Sequence, residues 1–231
     1  MKIGFNTGRT DVIPFLEKIK VFVELGCNAI EFSMMSLEEE DKLDKYWDQI
    51  PWDKFVYFSV HAPVHEFIYR NDNKTNDFLR RLQERHNKYK FDLIVIHPNL
   101  VEDWSVFANY DMPFAFENMD HRNSYAKNVI DMKDVFSKAK AAMVLDVNHC
   151  FTNDPTMQLA KDFYVAFGHK MKEIHLSGYD TFHEPLYVTK QSQIIDAIPD
   201  KEIPIIIEST QKSLDDIVNE YKYIKDILKI D

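Results

Sequence analysis

Residues 142–150 read AMVLDVNHC, a short apolar run that stops on Asp146, with His149 three residues further on. A run of this length and composition reads as a fully buried strand. A single strand ending on a carboxylate carries little information, but the same event recurs along the chain. KIGFN ends at Asn6, NAIEF carries Glu31, VYFSVHAP contains His61 and DLIVIHPN contains His97. PFAFENM contains Glu117, KEIHLSG contains His175 and PIIIEST contains Glu208. From Glu31 onward these markers are separated by 30, 36, 20, 29, 29 and 33 residues. Between the runs lie segments with helical spacing, such as residues 11–26 with Gly26 as C-cap, 76–90 and 213–230. Strand and helix therefore alternate eight times. The α/β fold that fits is a single-domain (β/α)8 TIM barrel spanning residues 1–231, with its chemistry at the C-terminal ends of the strands. An open doubly wound sheet competes, but no glycine-rich phosphate loop follows the first run.

Composition agrees with one domain. The chain has 231 residues, 45% of them hydrophobic, and only five glycines, with no linker-like stretch. Cys27 and Cys150 form no Cys-x-x-Cys motif and suggest no disulfide framework. MKIGFNTG does not read as a signal peptide, and no apolar run approaches membrane-spanning length, so the cytoplasm is the expected location and no membrane partner is expected. The formal net charge of -10 argues against double-stranded DNA as a partner. Bound metal ions or a local basic stripe can still reverse the sign at a site.

In a barrel the strand ends face one mouth, so His61, His97, Glu117, Asp146, His175 and Glu208 should ring a single pocket. Burying that many carboxylates is costly through desolvation and mutual repulsion unless cations neutralise them. Imidazoles mixed with carboxylates form a ligand set for zinc, manganese or iron. Any one of these histidines alone would read as a hydrogen-bonded structural residue; the collective pattern points to a divalent metal, most simply Zn2+, with Mn2+ or Fe2+ as alternatives. Other residues have plainer readings. Glu31 is expected to pair with a neighbouring lysine or arginine, and His86 and His169 to lie on the surface. His65 and His121 fall in mouth loops, the tryptophans of YWDQIPW should pack a loop onto the barrel, and SLEEEDKLDK reads as a solvated helix start. Asn6, Arg9, Arg122 and Lys190 are the substrate-binding candidates, the three basic residues as holders of a phosphate.

These strand ends resemble the xylose isomerase-like barrels, which include endonuclease IV and many sugar isomerases and epimerases. The quartet Glu117, Asp146, His175 and Glu208 is similar to the metal-binding set those proteins share. SVHAP, VIHPN, FENM, LDVNH, IHLSG and IIIEST are each similar to endonuclease IV segments. The resemblance implies one to three ions: a first on His61, His97 and Glu117, a second on the quartet with Glu117 bridging, and a third involving His149 and His183. Two departures stand out. Where endonuclease IV carries an Asp-x-His pair this chain has Thr181 before His183, leaving Asp180 as the neighbouring carboxylate to replace it. The second-strand loop also shows no basic or wedge-like DNA-binding element.

Three functions follow. The one preferred from the sequence is an endonuclease IV-like multinuclear hydrolase acting on a phosphoester of a sugar-like substrate, because it uses His61, His97, His149 and His183 as well as the quartet. The alternative is a metal-dependent isomerase or epimerase of a sugar or sugar phosphate, with Glu117 and Glu208 as the catalytic proton-transfer pair. The third is a non-catalytic barrel that binds metal or ligand. The AMVLDVNHC stretch adds one geometric expectation. If residues 147–149 form a turn, Asp146 and His149 face different ions, whereas a helix would put them on one face.

Overall fold

Each apolar run becomes a strand. The computed structural model describes residues 1–8 and 12–230. Among them β1 (Ile3–Asn6), β2 (Ala29–Ser33), β3 (Tyr57–His61), β4 (Leu93–Ile96), β5 (Phe114–Glu117), β6 (Ala142–Asp146), β7 (Met171–Leu176) and β8 (Ile205–Ile207) pair in sequence order into a closed parallel barrel. The last pairing, Phe5 with Ile207, brings the two ends of the chain together. An added Cβ at Gly4 would lie 1.6 Å from the Ala29 carbonyl oxygen, so only glycine allows β1 and β2 this approach.

Around the barrel run α1 (Phe15–Glu24), α2 (Leu37–Leu43), α3 (Asn73–Tyr89), α4 (Val129–Lys138), α5 (Val147–Asn153), α6 (Gln158–Phe167), α7 (Leu186–Thr189), α8 (Ser192–Asp196) and α9 (Leu214–Leu228). Several start on a side chain that accepts an otherwise unpaired amide: Ser36 from Glu39, Asp72 from Thr75, Asn128 from Asp131 and Ser213 from Asp216. Gly26, at φ 81, turns the chain out of α1 as expected.

The alternation is incomplete in one place. Between β4 and β5, where the marker spacing is shortest, the chain makes 3₁₀ turns at Pro98–Leu100 and Trp104–Asn109 instead of an α-helix. Trp104 and Phe107 fold back onto Phe116, their ring centroids 5.1 and 5.8 Å away, and cover β5 in the helix's stead.

Strand alternation divides the apolar residues into two sets. Ala29, Tyr57, Leu93, Val95, Ala115, Val144 and Ile206 fill the barrel interior, while the larger cluster lies between strands and helices. Two residues further along most of these strands, the same inward face presents a polar side chain: Glu31, Ser59, His97, Glu117, Asp146 and Glu208. The period of two thus seats an apolar plug beneath a polar mouth.

Two expectations about the surface need correction. The acidic run is not wholly solvated, because Glu40 is fully buried between α2 and α3 and receives Arg81 at 2.6 Å and Arg85. These arginines lie four apart on α3 and so share a face. His86 is half-buried against Phe91, with an enclosed Nδ1, whereas His169 is exposed. Trp47 and Trp52 do pack inward, stacking on each other and on Tyr89 beside Phe32.

Candidate metal centre

Six side chains from β3 to β8 converge at the C-terminal mouth. Ligand-capable atoms of Glu117, Asp146, His175 and Glu208 lie within 4.8 Å of one another, as do those of His61, His97 and Glu117. Glu117 is common to both sets and fully enclosed. Its Oε2 faces His97 Nε2 at 3.1 Å and His61 Nε2 at 3.4 Å; its Oε1 faces His149 Nδ1 at 3.3 Å and His175 Nδ1 at 3.5 Å.

The surroundings fix how each group is presented. His61 Nδ1 meets the Ala62 carbonyl at 3.1 Å, which can only accept, so Nδ1 carries a proton and Nε2 is the ring nitrogen left to face Glu117 and His97. Asn118 holds the end of β6 from both sides, accepting from the Asp146 amide at 2.9 Å and donating to the Asp146 carbonyl at 3.0 Å. Asn6 donates to Glu31 at 2.6 Å and to Glu208 at 3.0 Å. It therefore orients carboxylates beneath the mouth rather than projecting into it, and it is buried.

The electrostatics follow from packing carboxylates and imidazoles together without water. Burial alone would raise Glu117, but His175 and His97 outweigh it and hold its carboxyl well below the usual range. Burial dominates for Asp146 and, despite His149, pushes it up to about 7. It likewise raises Glu31 to about 7 against the pull of His175. For His61 burial is opposed by the nearby carboxylates of Glu117, Glu31 and Glu208, with the net result a rise to about 9. His175 is carried well above an ordinary imidazole, Glu208, Glu31 and Glu117 overcoming its burial. Burial lowers His97, on which the attraction of Glu117 is insufficient.

A cation fits this donor set. Glu117 Oε2, Asp146 Oδ2 and His175 Nδ1 are buried without hydrogen-bond partners, an expensive condition that a shared ion relieves. Nitrogen and carboxylate oxygen in this mixture suit zinc, manganese or iron.

Other sequence candidates fall in different places. His149 and His183 line a cavity of about 550 Å³ over the mouth, with His65, His97, Glu117, Asp120, Arg122, Phe182 and Glu208 among its walls. His183 Nδ1 meets Ser177 Oγ at 2.8 Å. Arg122 is held by Asp120 at 2.6 Å and lies over the Phe182 ring at 4.9 Å, so it presents a positioned guanidinium at the rim. Lys190 is placed elsewhere: its ammonium sits over the Tyr223 ring of α9 at 4.5 Å, outside the residues lining the cavity. His121 is exposed and packs its ring near Tyr179. Arg9 lies outside the described residues.

The stretch after β6 departs from the turn expected there. Asp146 is itself the N-cap of α5, its Oδ1 accepting the His149 amide at 2.8 Å, so helix begins at once. His149 Nδ1 consequently lies 3.4 Å from Asp146 Oδ2 and beside Glu117, and its shortest contact is 2.8 Å to the Asn118 carbonyl. The two residues face the same site. Asp180 is exposed, and Glu184 instead accepts amides from Asp180, Thr181 and Phe182. Among the described residues no carboxylate joins His149 and His183 in a third ligand set.

Two further acidic residues belong to the site. Glu31 pairs with neither lysine nor arginine among its described contacts; it points inward to Asn6 and to His175 Nε2, 3.4 Å away. Glu173, two residues before His175 on the same face of β7, lies 3.0 Å from that nitrogen and is fully buried. The period of two from His175 was the signal that would have found it.

No protein-family model and no curated protein matches the chain. Solved structures do. A 3-keto-D-glucoside 4-epimerase from E. coli aligns over 99% of this chain and 99% of its own, with TM-score 0.62 and 13% identity. D-Psicose 3-epimerase from Clostridium cellulolyticum, solved with D-tagatose, covers 99% and 97% at TM-score 0.60 and 13% identity. A xylose isomerase domain containing protein from Salmonella typhimurium covers 99% and 96% at TM-score 0.64 and 12% identity. The chain therefore has the fold of the xylose isomerase-like TIM barrels over nearly its whole length. Among the described residues no helix is long and apolar enough to cross a membrane.

Proposed function

We propose that this protein is a divalent-metal-dependent isomerase or epimerase of a small sugar-like substrate. The observation that carries the reading is the buried quartet Glu117, Asp146, His175 and Glu208, drawn from four successive strands to one point at the floor of an open cavity. The sugar epimerases among its structural neighbours favour this reading over the phosphoester hydrolase preferred from sequence.

The quartet would hold the ion, whose contribution is to polarise neighbouring substrate oxygens and so acidify the carbon between them. Glu117 and Glu208 both line the cavity, and both flank His175 Nδ1, at 3.5 and 3.6 Å. One carboxylate removes the proton from the substrate carbon and the other returns one, either on the opposite face, which epimerises, or on the adjacent carbon, which isomerises. The Arg122 guanidinium at the rim, steadied by Asp120 and Phe182, suits a distal anionic or hydroxyl group of the substrate.

The hydrolase reading keeps one observation in its favour, the additional cluster of His61, His97 and Glu117. The two separate by experiment. Metal-loaded protein incubated with a panel of ketoses in D2O should exchange a carbon-bound proton for deuterium, followed by NMR, and should leave bis-p-nitrophenyl phosphate intact. Glu117→Gln should abolish both exchange and stoichiometric metal while the circular dichroism stays that of the folded barrel. Phosphodiester cleavage without any carbon-proton exchange would replace this proposal with the hydrolase.

A further inference from the structure

His175 is the one quartet member whose two ligand-capable atoms face opposite ways. Nδ1 looks up to Glu117 and Glu208, at 3.5 and 3.6 Å. Nε2 looks down into the barrel, 3.0 Å from Glu173 and 3.4 Å from Glu31. A neutral imidazole has one donor and one acceptor nitrogen, and which is which depends on the groups it meets. A lone pair on Nε2 would oppose two carboxylates. A proton there satisfies Glu173 and leaves the Nδ1 lone pair aimed at the centre of the quartet.

Glu173 has no other evident reason to be where it is. Its neighbours on the inward face of the barrel are Ala29, Val95, Ala115, Val144 and Ile206. A buried carboxylate among them works against folding, and because Glu31, Glu117 and Glu208 still face His175 when Glu173 is removed, an apolar residue of similar size leaves no uncompensated charge and would be neutral or stabilising. Nearby lies Tyr57, whose hydroxyl pKa is raised by burial and next by the Glu173 charge, and which donates to the Lys172 carbonyl at 3.4 Å. Of the two carboxylates near Nε2, Glu173 makes the shorter contact, while Glu31 is already engaged through Oε1 by Asn6.

We propose that Glu173 is a positioning residue that accepts the Nε2 proton of His175 and so fixes the imidazole with Nδ1 as the metal-facing atom. Partners of this kind tune a metal through its ligand, and their loss weakens metal affinity by roughly 10–100-fold. The inference rests on the metal centre proposed above. It adds that the barrel holds a carboxylate below the site at the expense of its own stability.

The experiment compares wild type, Glu173→Leu and Glu173→Gln as full chains stripped by chelator. It measures Zn2+ and Mn2+ affinity and stoichiometry by competition with a fluorescent chelator, and the Tm of each apo form. Glu173→Leu should bind about 10–100-fold more weakly, with an apo Tm equal to or above wild type. Glu173→Gln retains an acceptor oxygen and should fall between the two, and it decides the matter alone if the leucine variant does not fold. Affinity loss in step with a lower apo Tm in the variants would assign Glu173 a merely structural role and overturn the inference. Loss of one whole ion, with the rest bound at wild-type affinity, would make Glu31, Glu173 and His175 a ligand set and overturn it too. Wild-type affinity in both variants refutes this role but leaves the metal centre standing, whereas a wild type that binds no ion refutes the centre itself.

Discussion

Removing metal should give this protein an unusual pH dependence, and its sign can be worked out from the mouth. Burial holds Asp146 at about 7, against 3.8 for an ordinary aspartate, so between those values the folded chain keeps a proton that the unfolded chain releases. Stability then falls as pH rises through that window. His61, lifted from 6.5 to about 9, contributes stability that is complete below 6.5 and lost as pH rises toward 9. The slopes have the same sign and adjoin one another. Glu31, also at about 7, adds a fall like that of Asp146; His97, lowered from 6.5, opposes them over part of the window, and Glu117, depressed below 4.5, opposes only in acid. At 1.36 kcal/mol per pKa unit, and with His97 offsetting part of the sum, traversing pH 5 to 8.5 should remove on the order of 5 kcal/mol from the apo protein. For a chain of this size that is a fall in Tm of roughly 10–20 °C.

Metal should reverse the trend, because an ion binds ionised carboxylates and neutral imidazoles and competes with the protons. An ion present at 100 times its dissociation constant adds about 2.7 kcal/mol, and the gap between loaded and stripped protein should widen with pH. Scanning calorimetry from pH 5 to 8.5, with excess Zn2+ or with chelator, reads both quantities. An apo Tm that is flat or rising across this range, or a metal-induced shift that shrinks with pH, would refute the assignment of these groups to one metal site.

Other consequences are simpler to state. His97→Ala should reduce bound metal by one ion per chain if the His61, His97 and Glu117 cluster is a separate site, and leave the count unchanged if only the quartet is loaded; plasma emission spectrometry on the purified variant distinguishes them. His149→Ala should weaken metal or substrate binding several-fold without unfolding α5, because the Asp146 cap uses the backbone amide of residue 149 rather than its ring; an unchanged profile for both would make His149 a packing residue. Glu40→Ala strips a fully buried carboxylate from Arg81 and Arg85, and should cost about 3 kcal/mol, near the lower end for a broken buried pair because Asp44 still holds Arg85. Chemical denaturation should show this loss with metal affinity unaffected.

The barrel was legible because buried parallel strands read as unbroken apolar runs and each stops on a residue that cannot be buried cheaply. Those stops delivered the quartet and the His61, His97 and Glu117 cluster. Other features escaped because they depend on partners distant in sequence. Glu31 by local sequence habit invites a basic neighbour, yet a strand residue meets whatever stands across the barrel, here Asn6 and His175. Glu40 sat in an acidic run that looked solvated, and only the i,i+4 arginines of a helix some forty residues away enclose it.

The Asp146–His149 geometry is not legible in the sequence for a different reason, since one side chain performs two tasks. Asp146 ends β6 and caps α5, which leaves no residues for a turn. Its Oδ1 is engaged by the His149 amide, while Oδ2 is buried with no hydrogen-bond partner. The cap thus selects which oxygen is left to meet a cation and fixes its direction through the helix axis. An aspartate at this point is therefore fitted to ligation by the same hydrogen bond that starts the helix. A glutamate, one methylene longer, would satisfy neither geometry without moving the other.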